Sequence, residues 1–170
     1  MTRYTSHSII LHWLSAGLLI FLLITGTFIL SNIPNTIEKL GSLKIHMIFG
    51  VVTTLLSFIR IIMILKSPKP EALLMHPWRA RLMKANHIAV YGVIMAIGVS
   101  GFVLAQNASL GEIIFFGADK ALYTSFKDFD IGIAHGFLTK VLFFLIITHV
   151  LGVLSYTLSH QHAIMKRMWF

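Results

Sequence analysis

Four proline-free apolar runs decide what this chain can fold into: about Ile9 to Leu30, Ile45 to Leu65, His87 to Ala105 and Ile133 to Leu158. Each holds about 19 to 26 residues, enough for a helix to cross a hydrocarbon layer of ~30 Å with some tilt. The rest of the composition agrees. Of 170 residues, 56% are hydrophobic and 12% charged, and the mean hydropathy is +0.83, whereas a soluble domain is about one quarter charged. The sequence therefore predicts an all-α membrane protein, a four-transmembrane-helix bundle formed as a single domain over residues 1–170. The first run is too long for the apolar region of a cleaved signal peptide, and no small-x-small site follows it in "FILSNIPNT".

Charge sets the expected orientation. "KSPKPEALLMHPWRARLMKAN", between the second and third runs, carries Lys66, Lys69, Arg79, Arg81 and Lys84 against the single acid Glu71. The positive-inside rule places it in the cytoplasm. Arg3, Lys166 and Arg167 then fall on the same side, so both termini are expected to be cytoplasmic. The formal net charge of +8 is accounted for by orientation, and no nucleic-acid partner is expected. The opposite loops are close to charge balance. One of them contains "GEIIFF", too short to span and read as an interfacial patch.

Histidine carries the chemistry. The chain has no cysteine, which excludes disulfides, thiolate zinc sites and Fe–S ligation. In the fourth run His135 and His149 stand fourteen residues apart, about 21 Å along a helix and about 40° short of four whole turns, hence on one face. Topology puts His46 at the outer depth of His135 and His12 at the inner depth of His149. Two imidazole pairs at two depths suit two b-type haems, whose irons take axial ligands from opposite faces of a flat macrocycle held between helices. Small residues beside the histidines, Gly50, Gly136, Gly152, Ala16 and Gly17, leave room for the plates. A histidine-only copper or zinc site needs three or four ligands at one depth, and each level offers two clear candidates.

Other residues join these levels by position. His87 also begins a span at the inner level, and stands either as an alternative to His12 or as a contact for a haem propionate or quinone. Arg60, fourteen residues after His46, reaches the depth of the inner pair and either pairs with a propionate or snorkels to the interface. Lys44 and Lys140 flank the outer ligands and are candidates for the rim of the outer haem, with neutralisation of its propionates as the plainer role. His7, His76, His160 and His162 flank the spans and are read as interfacial.

"SIILHW", "KIHMIFG" followed by "FIR", "NHIAVYGVIMAIGVSGFVL" and "AHGFLTKVLFFLIITHVLGVL", in this order, resemble the bacterial cytochrome b561 family over nearly the whole chain. The resemblance extends more loosely to the haem b subunits of formate dehydrogenases and nickel hydrogenases. It implies a four-helix bundle enclosing two haems b in the bacterial inner membrane, with His46 paired to His135 and His12 to His149. It further implies oxidation of superoxide at the periplasmic haem and reduction of ubiquinone near the cytoplasmic one. The alternative is a cytochrome b subunit relaying electrons between the quinone pool and a periplasmic or membrane partner. Tyr156, His160 and His162 match no family quinone site, so the quinone residues are left open.

Overall fold

The computed structural model describes residues 3–67, 71, 75–160 and 165–169. Within them the chain is helical and has no strand. Helix α1 (Ser6–Ile24) is capped by Thr5, whose hydroxyl accepts from the Ser8 amide, and it continues as a π-helical turn over Thr25–Leu30. A 3-10 turn, Ile37–Lys39, leads into α2 (Leu40–Lys66). Then come α3 (Pro77–Asn107), the short α4 (Leu110–Phe116) and α5 (Asp130–His160). Four of these segments are long and apolar enough to cross a membrane: Ser6–Leu30, Ile37–Lys66, Pro77–Asn107 and Asp130–Ser159.

The helices overrun the apolar runs that announce them. The largest overrun is in α3, which starts at Pro77 rather than near His87. His76 caps it and proline occupies the first helical position, where a missing N–H costs nothing. The basic segment "WRARLMKAN" thereby becomes a helical extension of the span. Arg79 donates from it to the Ser155 hydroxyl at 2.9 Å, and Asn86 accepts from the Thr148 hydroxyl at 2.9 Å, fastening α3 to α5.

Helix α3 packs most extensively along α5, α1 packs on α2 and α2 on α3, while the α1–α5 seam is sparse. Small polar side chains are among the buried residues of the spans: Ser15, Thr53, Ser57 and Ser100, as expected where helices associate in lipid through small residues. Gly98 lets α3 come so near α2 that an added Cβ would lie 2.5 Å from the Thr54 hydroxyl. At mid-height Leu23, Ile94 and Leu142 form a buried apolar cluster, with Leu19, Val90 and Ile146 against it. Outward-facing Phe137, Phe144 and Leu158 are exposed, as a lipid-facing surface requires.

The two ends differ. At the end where the Tyr4 amide donates to the Arg167 carbonyl, the near end, Met165–Trp169 lies across α1: Trp13 donates through Nε1 to the Met168 carbonyl at 2.8 Å and meets the Trp169 ring edge-on at 6.0 Å. Buried Arg167 reaches the Glu71 carbonyl at 2.6 Å. At the far end "GEIIFF" forms most of α4, with Leu110 and Ile113 buried and Phe116 84% exposed, consistent with an interfacial patch. Its entry requires a left-handed Ser109, with φ 52°.

Candidate functional site

The far level joins α2 and α5 through His46 and His135. His46 lies against Gly26 in the π-helical turn, where an added Cβ would stand 3.1 Å from the ring Cε1. Its Nδ1 is buried without a hydrogen-bond partner among the described residues. His135 lies in the same manner against Gly101, with an added Cβ 3.1 Å from its Cε1. The two rings are near enough to interact electrostatically.

Ser100 fixes how His135 is presented. Its hydroxyl donates to the Ile97 carbonyl at 3.0 Å and lies 3.0 Å from His135 Nδ1. A hydroxyl has one proton to give, so toward the ring it accepts, and Nδ1 carries the hydrogen. Nε2 of His135 is left with a free lone pair, the state a metal ligand needs.

The near level gathers three histidines. His12 of α1 and His149 of α5 have ring centroids 6.5 Å apart, and His87 of α3 meets His149 edge-on at 5.0 Å and 86°. Two imidazoles on one metal, each bonded at about 2 Å, hold their centroids about 6 Å apart. The His12–His149 spacing suits a shared iron, and the His87–His149 spacing is too short for one. His87 donates from Nδ1 to the Met83 carbonyl at 2.7 Å and is exposed. Arg60 reaches this level, as the helix rise predicts. Its Nη2 donates to His12 Nδ1 at 3.0 Å and its guanidinium sits 5.6 Å from the centre of the Tyr91 ring. Among the described residues no three His, Cys, Asp or Glu side chains come together as a metal-chelating group.

The small residues expected beside the rings border open space: a side chain at Gly17, Gly50, Gly136 or Gly152 would meet nothing within 4 Å. Close approach to the rings belongs to Gly26 and Gly101, each fourteen residues beyond a near-level histidine, His12 and His87. That spacing was the available signal. Lys44 lies over the Phe115 ring at 5.5 Å, beside α4. Lys140 is exposed in a lipid-side groove with Thr27, Phe28, Thr139 and Phe143. Five residues turn it about 140° from His135, so the two side chains do not share a face of α5. His7 and His76 are exposed, as interfacial residues would be. His162 and the side chain of His160 lie outside the described residues.

Two levels of imidazole pairs, an apolar layer between them and a helix-only membrane fold form an arrangement that can hold flat redox groups in series. Searches of curated proteins and of solved structures brought no match. The sequence pattern of the prokaryotic cytochrome b561 family matches residues 3–170. The chain belongs to that family of multi-pass membrane cytochromes, whose work is electron transfer through haem b.

Proposed function

We propose that the chain holds two haems b, one between His46 and His135 and one between His12 and His149, and passes electrons across the bacterial inner membrane with both termini in the cytoplasm. The observation that carries this reading is the repetition of facing imidazoles on either side of the apolar layer. The residues fit the group: His135 offers Nε2, His46 has an uncommitted buried Nδ1, and His12 and His149 stand 6.5 Å apart. Bound haem iron supplies one-electron redox chemistry. The protein places the two sites about 21 Å apart along α5 and excludes water between them.

Arg60 has a defined part. A guanidinium only donates, so its bond to His12 Nδ1 puts the imidazole proton on Nε2. Ligation through Nε2 requires that proton on Nδ1, and two donors cannot share one bond. With His12 ligating through Nε2, Arg60 would be free to pair with an anion at the same depth, and a haem propionate would have the right charge.

At the far end the donor is superoxide, and at the near end the acceptor is ubiquinone. Two superoxide anions each lose one electron to become dioxygen, while the quinone gains two electrons and two cytoplasmic protons to become the quinol. Lys44 supplies positive charge two residues from His46. A second reading, relay to a protein partner, is favoured by one observation. Lys39 is buried on the Ile33 carbonyl and Asn35, and Lys120 is paired with Glu112, so neither adds to a basic field for a small anion.

Stopped-flow reduction of the haems by superoxide, followed by ubiquinone-dependent reoxidation, separates the two. Reduction that slows with added salt and slows further in Lys44→Gln supports the enzyme. Haems reduced readily by quinol but no faster by superoxide than by random collision leave the relay. A reduced-minus-oxidised spectrum with fewer than two haems per chain overturns both.

A further inference from the structure

Lys140 stands at an unusual place for a lysine. Taking the middle of Asp130–Ser159 as the bilayer midplane, a helix rise of 1.5 Å per residue puts its Cα about 8 Å below the far edge of the hydrocarbon. A charge at that depth needs a partner. Among the described residues it makes no hydrogen bond or ion pair, and the four spans contain no acid except Glu38 and Asp130 at their far ends. Lys140 is turned about 140° from His135, so a haem held by His135 would sit on a different side of α5.

Its surroundings supply what an anion with apolar tails would require. Lys140 opens into a groove of about 100 Å³ in the sparse α1–α5 seam. Phe28 and Phe143 form apolar walls, and Thr27 and Thr139 bring polar atoms to the same place. The Thr139 hydroxyl is spent on the Gly136 carbonyl at 2.8 Å, which leaves Thr27 as the other hydroxyl-bearing residue of the lining. The backbone opposite is the π-helical turn Thr25–Leu30, a conformation that recurs at functional positions.

We infer that the α1–α5 groove binds one anionic phospholipid of the far leaflet, its phosphate held by the Lys140 ammonium and the Thr27 hydroxyl and its acyl chains lying along Phe28 and Phe143. An anionic headgroup is selected over a zwitterionic one because the latter brings a cation of its own toward the lysine. Bound there, the lipid bridges two helices that otherwise touch little. The inference rests on the proposed far haem only in setting its propionates aside.

The test is native mass spectrometry of the purified protein titrated with phosphatidylglycerol or phosphatidylcholine, alongside redox titration of the same preparations. The parent should retain phosphatidylglycerol in a one-to-one complex and lose phosphatidylcholine. Lys140→Gln should weaken retention about fivefold, the weight of one basic side chain at a lipid surface, with Lys140→Arg keeping it and Lys127→Gln on the far loop leaving it unchanged. Equal retention of both lipids by the parent overturns the inference without any variant. Retention unaltered in Lys140→Gln overturns it too, and if the far haem's potential falls in that variant, the partner is a propionate instead.

Discussion

Replacing Ser100 by alanine tests the far level with a single hydroxyl. Ser100 is buried, and its oxygen accepts from His135 Nδ1 while donating to the Ile97 carbonyl. Alanine leaves the helix intact and slightly favours it, so global stability should hold. What is lost is one hydrogen bond, about 1 kcal/mol net, together with the basicity that this bond lends to the opposite ring nitrogen. A less basic imidazole binds ferric iron more weakly than before and ferrous iron almost as well. The expected loss of ferric affinity is about tenfold, within the range for outer partners of metal-bound histidines, and for a one-electron couple tenfold corresponds to about 59 mV. Potentiometric titration with visible spectroscopy should therefore show the far haem's midpoint rising by about 30 to 60 mV and the other unmoved. Ser100→Thr, which keeps the hydroxyl, should restore the parent value. A Ser100→Ala protein with both midpoints unchanged, or with only the near haem displaced, refutes the assignment of His135 as a ligand steadied by Ser100.

Further outcomes are expected at the other positions. His46→Ala or His135→Ala should lose chiefly the far haem and His149→Ala chiefly the near one, read as haem per chain. His12→Ala should lose the near haem while His87→Ala keeps it, and the reverse would make His87 the ligand. Arg60→Gln should lower the near haem's midpoint and leave the far one in place, since a positive charge beside the ring favours the reduced state. Gly98→Ala forces a Cβ to 2.5 Å from the Thr54 hydroxyl, and overpacking should cost about 1 to 3 kcal/mol against about 1 kcal/mol gained in helix propensity. Thr54→Ala in the same chain should recover most of that loss in a thermal-unfolding measurement, and a single variant more stable than the parent would contradict the helix contact.

The spans were legible because lipid leaves a chain few options: backbone groups must be paired internally, so long apolar runs become helices. Their ends were less so. The helical start at Pro77 lies in a polar stretch where hydropathy is silent, and the sign was a cap followed by proline. Depth was legible from the helix rise, which is why His46 shares a level with His135 and Arg60 reaches the level of His12. Azimuth was not. Which groove Lys140 enters depends on which helices are neighbours, and spacing along one helix cannot supply that. Ser100 and Gly101 went unread for the same reason. The Trp13 clamp on Met168 joins residues 155 positions apart, with no periodic trace in either segment.

The apolar cluster at mid-height has a mechanical consequence. Leu142 sits seven residues from each of His135 and His149, and with Leu23 and Ile94 it forms a buried apolar layer between the two polar levels. By joining α1, α3 and α5 at mid-height, that layer resists tilting of the helices, so a side-chain replacement at one level is not passed on as a displacement of the other. Changes at the two levels should then add independently, as sites about 20 Å apart with no shared partner do.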